Sequence, residues 1–266
     1  MTPPLHVEST SADGTVVTAY VEGTGPSVLL VHGSTADHTR WAPLVPLLRD
    51  EFTLVMLDRR GRGGSTAEAE AYAIEREGED VLAMFASLPD PAMVFGHSYG
   101  ATATLSVLDR VPAAAVLLYE PPFATPEYEV FSESQLSRWQ AALDEGRREA
   151  VLEMFYREAL RFDEAAIDAM RPLPIWAARL AAVHTVVREA RAVRTFAPRP
   201  VRAAGPVRFL SGDSTTPHLT ASTRAAADLV AGSDLVVLAG QGHVAIDAAP
   251  ELIADQVRKV WQLTTT

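Results

Sequence analysis

The stretch that decides the fold has the sequence Ala92-Met93-Val94-Phe95-Gly96-His97-Ser98-Tyr99-Gly100-Ala101. Its first four residues form a short apolar run typical of a buried strand, and a helix-length segment, 101–110, follows it. Gly96, Ser98 and Gly100 lie between the two in a G-x-S-x-G pattern, which places a serine hydroxyl at the end of the strand. We therefore predict that Ser98 is a nucleophile. The alternative is a tight turn without chemistry.

Similar apolar runs recur on both sides of this stretch, at residues 28–31, 53–57, 114–118, 207–210 and 234–238. Helix-length segments separate them, at residues 41–49, 74–87, 220–229 and 250–263. Alternating strands and helices predict an α/β fold with a mostly parallel central sheet flanked by helices. A hairpin pattern over residues 6–9 and 16–22 predicts antiparallel strands at the sheet edge.

Residues 122–202 interrupt the alternation, because they contain helical patterns but no strand-like run. We predict a helical cap over 122–202, inserted into a core formed by 1–121 and 203–266. A cap at this place in the chain would cover the carboxyl ends of the strands, where ligands bind in open α/β sheets. The alternative is an extra helical layer whose aromatic side chains form only its own core.

Composition narrows the class of partner. The chain has 266 residues, a formal net charge of -11 and no cysteine. An acidic protein lacks the basic face that nucleic acid requires, so we expect a small-molecule substrate and no nucleic-acid partner. The absence of cysteine excludes disulfides, thiolate metal sites and a cysteine nucleophile. No metal-ligand spacing or dinucleotide fingerprint occurs, so we expect neither a metal nor a cofactor.

The sequence indicates no membrane association. Its first residues lack the basic and apolar regions of a signal peptide, and its apolar runs fall short of the roughly 20 residues that span a bilayer. A cytoplasmic location is the expectation by default. The oligomeric state is left open.

A general base for Ser98 is expected on the loop after the last predicted strand, Gly240-Gln241-Gly242-His243. A serine hydroxyl is a weak nucleophile until a base takes its proton. Of the seven histidines, His243 has the required place in the chain order. The segment Val31-His32-Gly33-Ser34 follows another strand end, and we expect the backbone N–H groups of Ser34 and Tyr99 to form the oxyanion hole. His32 and His97 are expected to be structural.

Four segments together carry a resemblance: His32-Gly33, the loop from Asp58 to Ser65, the turn around Ser98, and Gly242-His243. With them the chain resembles the α/β-hydrolase fold family over nearly its whole length, as a cap-bearing member with a serine nucleophile. The resemblance implies hydrolysis of an ester, lactone or thioester of a small to medium, partly hydrophobic substrate. A non-hydrolytic lyase or cyclase and a ligand-binding protein of the same fold are the alternatives.

The acid that completes the triad departs from the family pattern. The usual position falls at Thr215, and Asp213 lies earlier than that position. In some members the acid comes instead from the end of the preceding strand, where this chain has Glu120. A carboxylate at a buried strand end needs a partner, and His243 would supply one. We therefore prefer Glu120 to Asp213, although a salt bridge from Glu120 to a cap arginine is also possible.

Aromatic side chains are the candidates for substrate binding. Five residues from the loop after the oxyanion segment and from the cap are expected to line the pocket: His38, Trp41, Trp139, Phe155 and Trp176.

Overall fold

The computed structural model describes residues 5–66, 72–89 and 91–265. Residues 1–4, 67–71, 90 and 266, which belong to the predicted core segments, lie outside the described residues. The strands are β1 (Leu5–Thr10), β2 (Val16–Gly23), β3 (Ser27–Val31), β4 (Thr53–Asp58), β5 (Ala92–His97), β6 (Ala115–Tyr119), β7 (Val207–Gly212) and β8 (Asp234–Leu238).

The strands form one 8-stranded sheet in the order β1-β2-β4-β3-β5-β6-β7-β8. The β1–β2 and β2–β4 pairs are antiparallel, and every pair from β4 to β8 is parallel. This confirms the predicted α/β fold with its antiparallel edge. β5 and β6 lie side by side with His97 opposite Tyr119, so the residues that follow them leave the same edge of the sheet.

The α-helices are α1 (Val45–Leu48), α2 (Ile74–Phe85), α3 (Tyr99–Ser106), α4 (Glu133–Asp144), α5 (Arg148–Glu158), α6 (Glu164–Met170), α7 (Pro174–Ala182), α8 (Val186–Thr195), α9 (Pro217–Leu229), α10 (Ala245–Ala248) and α11 (Pro250–Gln262). Short 3₁₀ turns occupy His38–Trp41, Val183–Thr185 and Leu263–Thr265.

Prolines set several of these bounds. α7, α9 and α11 each begin at a proline, because a helix tolerates proline in its first turn, where the missing N–H has no partner to lose. The helix predicted over 41–49 is instead the 3₁₀ turn His38–Trp41 followed by the short α1. Pro43 lies between the two and cannot donate the backbone hydrogen bond that would join them.

Two apolar clusters cover the two faces of the sheet. One packs the sheet against α2, α3 and α9, through side chains such as Met84, Leu105 and Ala226. The other packs it against α1 and α11, through side chains such as Leu48 and Val257. Because helices cover both faces, β3, β5 and β6 are buried at every residue.

Helices α4 to α8, here called the inserted helices, lie in the chain between β6 and β7. They share a third apolar cluster that includes Trp139, Phe155 and Val187. That cluster also takes in Ile74 of α2 and Tyr99 of α3, so the inserted helices pack on the rest of the fold beside the turn that carries Ser98. In the part of the chain that the structure describes, no helix is both long and apolar enough to cross a membrane.

Candidate active site

Ser98 is the single residue that connects β5 to α3, because β5 ends at His97 and α3 begins at Tyr99. Its backbone has φ 55° and ψ -125°, a conformation that is costly for a residue with a Cβ. The turn closes only because its neighbours are small: a Cβ on Gly100 would lie 2.2 Å from the carbonyl oxygen of Val31. The strained backbone of Ser98 and the close approach of Gly100 to Val31 leave the Ser98 side chain half-buried at the sheet edge rather than inside the core.

His243 joins Ser98 to a buried carboxylate. Its Nε2 lies 2.9 Å from Ser98 Oγ, and its Nδ1 lies 2.6 Å from Oε2 of Glu120. Since a carboxylate can only accept, Nδ1 donates to Glu120, and Nε2 is left as the acceptor for the serine proton. The three side chains therefore form a continuous hydrogen-bonded chain in the order acid, imidazole, hydroxyl.

Glu120 is placed by the end of β6. Its backbone has φ 47°, which turns the chain out of the strand, and its side chain is fully buried. Besides His243, the carboxylate accepts from the backbone N–H of Gly212 at 2.8 Å and from Oγ1 of Thr215 at 3.0 Å. Both carboxylate oxygens are thus satisfied, which a buried carboxylate requires.

Asp213 lies elsewhere. It is exposed, and it accepts from the backbone N–H of Gly240 and from Ser214 Oγ, at 2.8 and 2.9 Å. The Gly240 N–H holds the pKa of this carboxyl below its usual range. The structure places Glu120, and not Asp213, against His243.

Two further side chains hold the His243 loop. His97 Nε2 donates to the carbonyl oxygen of His243 at 3.0 Å, and the Tyr119 hydroxyl donates to the carbonyl oxygen of Gly242. Burial, with the nearby His243 and Arg40, lowers the pKa of His97 well below its ordinary value, so the imidazole is neutral. The role of Tyr119 has no signal in the sequence, because an apolar strand end does not show that its hydroxyl reaches a loop.

His32 is likewise internal. Its Nδ1 donates to the Gly33 carbonyl oxygen at 2.8 Å, and its Nε2 accepts from the backbone N–H of Arg59 at 3.2 Å. Burial, then the nearby Arg59 and Arg62, lowers its pKa well below the ordinary value. The ring therefore braces the strand end.

Ser34 and Tyr99, whose backbone N–H groups are expected to form the oxyanion hole, lie beside Ser98. Both residues line a small cavity together with Ser98 and His243. Within the described residues, no hydrogen bond engages either N–H group. Tyr99 is the first residue of α3, so its N–H belongs to the helix end whose donors have no partner inside the helix.

Two cavities meet at Ser98. The larger, of about 340 Å³, has mostly apolar walls formed by the inserted helices and the segment that joins α5 to α6, including Phe155, Leu160, Phe162, Met170 and Ile175. The smaller, of about 40 Å³, also contains Phe155 and Leu160, together with His218 and Glu189. Burial, with the nearby His243, lowers the pKa of His218 to about 4.

Of the five aromatic residues expected to contact substrate, Phe155 lines both cavities. The other four do not line the larger one, and this corrects the expectation for His38, Trp41, Trp139 and Trp176. His38 binds Asp58 at 2.9 Å and stacks on Tyr20.

The three tryptophans are internal. Trp41 is fully buried against Phe95, with ring centroids 5.1 Å apart. Trp139 is fully buried and donates to Glu158, and Trp176 donates to Glu149. Each is held by the packing of its own layer, which leaves the cavity walls to smaller apolar residues that no sequence pattern distinguishes.

Charged side chains also border the larger cavity. Arg40 is buried and donates to Asp247 at 2.6 Å. Arg179, on α7, donates through Nη1 to the carbonyl oxygen and to Oγ1 of Thr35, at 3.2 and 3.1 Å. Neither arginine carries a sequence motif, so only the fold reveals them.

A buried ion-pair network lies beside the serine turn. Arg59 donates to Glu77 at 2.5 and 2.7 Å and to Glu189 of α8 at 2.8 Å. Its guanidinium lies 4.3 Å from the ring centroid of Tyr99, and Arg62 also binds Glu189. The network therefore connects the inserted helices to the turn that carries Ser98. Among the described residues, no cluster of three His, Asp or Glu side chains could hold a metal ion.

Comparison with known proteins agrees with this architecture. The model of a family described as "Alpha/beta hydrolase family" matches residues 28–256. A solved structure of an alpha/beta hydrolase from Sphaerobacter thermophilus superimposes with a TM-score of 0.78 and 28% identity, over 94% of this chain and 99% of that one.

Curated relatives match over different lengths. The 2-(acetamidomethylene)succinate hydrolase of Mesorhizobium japonicum is 25% identical over 87% of this chain and 86% of its own length. The probable oxidoreductase EphD of Mycobacterium tuberculosis is 34% identical over 110 residues, which are 39% of this chain and 19% of that protein.

Proposed function

This chain belongs to the alpha/beta hydrolase family, and we propose that it is a serine hydrolase that cleaves an ester, lactone or thioester through an acyl-enzyme on Ser98. The observation that carries the proposal is the hydrogen-bonded chain from Glu120 through His243 to Ser98, with contacts of 2.6 and 2.9 Å. In this arrangement a neutral imidazole can take the serine proton as the hydroxyl attacks.

The first half-reaction forms the acyl-enzyme. Ser98 Oγ bonds to the substrate carbonyl carbon while His243 Nε2 takes the hydroxyl proton, and Glu120 stabilises the resulting imidazolium. The carbonyl oxygen becomes negative and accepts hydrogen bonds from the N–H groups of Ser34 and Tyr99. The tetrahedral intermediate then collapses, and the leaving alcohol or thiol takes the proton from His243. In a lactone this leaving group stays attached to the acyl chain.

The second half-reaction releases the acid. Water gives a proton to His243 and attacks the acyl carbon, and the bond to Ser98 Oγ breaks as His243 returns the proton to the serine. Each proton that leaves His243 is matched by one that it receives, so the enzyme ends as it began.

The inserted helices are proposed to form a cap domain over residues 122–202. The support is their place in the chain and their side chains in the cavity walls at Ser98. A cavity of about 340 Å³ is near the lower end of ligand sites, which run from about 300 to 1,000 Å³, and its apolar walls favour a small to medium, partly hydrophobic substrate.

A small fluorophosphonate probe tests the proposal. We expect intact mass spectrometry to show one adduct on the wild-type protein and none on Ser98→Ala, with peptide mapping placing the adduct on Ser98. A folded wild-type protein that gains no adduct would overturn the serine mechanism and favour a lyase, a cyclase or a ligand-binding protein.

A further inference from the structure

The larger cavity at Ser98 carries more positive than negative charge. Arg40, Arg179 and Asp247 all line it. Arg40 and Asp247 pair at 2.6 Å, whereas Arg179 forms no ion pair among the described residues. One guanidinium therefore faces this cavity without a protein counter-ion.

The two arginines are close enough to oppose each other. Burial lowers the pKa of Arg40, and the charge of Arg179 lowers it further. Asp247 is a single carboxylate, and it is already engaged by Arg40. A second anion at Arg179 would relieve this repulsion as well as neutralise the unpaired cation.

Arg179 has hydrogen-bond donors that its contacts with Thr35 do not use. Both of its hydrogen bonds use Nη1, and both go to Thr35. Within the described part of the chain, Nε–H and the Nη2 hydrogens donate to no protein acceptor. Two adjacent N–H groups on a planar guanidinium fit the two oxygens of a carboxylate.

The place of Arg179 ties this anion site to the proposed chemistry. Thr35 follows Ser34, whose N–H is a proposed oxyanion donor, so Arg179 reaches the loop next to the reacting carbonyl. Apolar side chains of Phe155, Leu160 and Met170 complete the cavity walls. The arrangement suits a molecule with a short apolar body and one anionic end.

We propose that the substrate carries a carboxylate in addition to the bond that is cleaved, and that Arg179 binds this carboxylate. The inference rests on the proposed function, because it names the substrate class of the same site. A carboxylate is favoured over a dianionic group since one positive charge in the cavity lacks a partner.

Arg179 has a second role that the test must separate. Thr35 is a β-branched residue at φ 52°, a strained conformation, and Arg179 holds both its carbonyl and its hydroxyl. Loss of this brace would slow charged and neutral substrates alike. Loss of carboxylate binding would change the ratio between them, and the ratio is therefore the informative quantity.

The experiment compares matched ester pairs by pH-stat. Monoethyl glutarate and the ethyl ester of glutaramate place the charge on the acyl side, and O-butyryl glycolate and O-butyryl glycolamide place it on the alcohol side. We expect wild-type kcat/KM to favour the carboxylate member of at least one pair by about tenfold or more. In Arg179→Met this preference should fall to about twofold or less, mainly through KM. The control Arg147→Met removes an exposed arginine beside the inserted helices and should keep the wild-type ratio.

Calorimetric titration with glutarate and with glutaramide gives a readout independent of turnover. We expect saturable glutarate binding to the wild-type protein that Arg179→Met loses. Turnover of the neutral esters with a carboxylate ratio near one, and no glutarate binding, would overturn the anion site while leaving the hydrolase proposal intact. Glutarate binding without a fluorophosphonate adduct on Ser98 would keep the anion site and remove the hydrolase proposal.

Discussion

At the scale of single residues, Glu120 and Thr215 show how this chain completes its site. The position where the family usually places an acid holds Thr215, and its hydroxyl donates to Glu120 at 3.0 Å. A hydroxyl there helps satisfy the carboxylate that comes from β6 instead. The carboxylate reaches His243 Nδ1 from the end of β6.

Glu120→Gln tests this assignment. The amide can no longer stabilise the imidazolium, and its NH₂ group can favour the wrong tautomer of His243, so we expect kcat to fall by about 10³ to 10⁴-fold, as for acid-to-amide changes in other serine triads. Asp213→Asn is the matched control, and its kcat should stay within about twofold of wild type, because exposed Asp213 caps a loop. Steady-state kinetics on one neutral ester measures both. The reverse order of effects would transfer the role to Asp213.

At the scale of elements, α8 contributes to the serine turn through charge as well as packing. Its Glu189 is buried and binds both Arg59 and Arg62, and Arg59 in turn donates to the carbonyl oxygens of His32 and Gly33. One helix of the inserted layer is thereby connected to the strand end before Ser34. Buried ion pairs and hydrogen bonds thus link the loop that carries Ser34 to the inserted helices.

Glu189→Gln should destabilise the fold strongly. Removing one partner of a buried pair leaves an uncompensated charge, which costs about 3–5 kcal/mol. Glu133→Gln breaks an exposed pair with Arg194, on α8 as well, and should change stability little because solvent screens that pair. Urea unfolding followed by circular dichroism gives both free energies. A loss of stability in Glu189→Gln as small as that in Glu133→Gln would mean that the buried network adds little to stability.

At the scale of the whole molecule, burial of uncharged imidazoles links the fold to pH. Burial, above all, lowers the pKa of His32, His97 and His218 from the ordinary value. His38 differs, since Asp58 raises its pKa despite partial burial. The balance of these shifts favours stability at neutral pH.

The direction of this pH dependence follows from the number of protons that the folded and the unfolded chain each bind. The unfolded chain protonates its histidines near pH 6.5, whereas His32, His97 and His218 resist protonation in the fold. Their contribution to stability is present above about pH 6.5 and is lost as pH falls toward their folded values. His38 acts in the opposite direction over the same range. We therefore expect the free energy of unfolding to decrease between pH 7 and pH 5.

His218→Asn isolates one of these groups. With a folded pKa of about 4, His218 should account for about 1–2 kcal/mol of the decrease in unfolding free energy between pH 7 and pH 5. The variant should therefore lose that much less stability over this range. His6→Asn, at an exposed position on β1, is the control. Urea unfolding of the wild type and the two variants at both pH values gives three differences in unfolding free energy, one for each protein. A variant as sensitive to acid as the wild type would show that His218 does not contribute to the pH dependence.

Sequence by itself determined the α/β fold, because short apolar runs that alternate with helix-length segments are typical of a parallel sheet covered by helices on both faces. It also singled out Ser98, His243 and the Ser34 and Tyr99 amides, since these positions depend on local features: a strand end, adjacent glycines and chain order. The preference for Glu120 followed from the same logic of strand ends.

Only the tertiary structure decided which side chains line the cavities. Trp139 and Trp176 have the same aromatic character as Phe155, yet the packing of the inserted helices directs them into their own core. Arg179 approaches Thr35, 144 positions away in the chain, and Glu189 approaches Arg59, 130 positions away. Such contacts depend on how layers pack, and packing is a property of many side chains at once rather than of a local pattern.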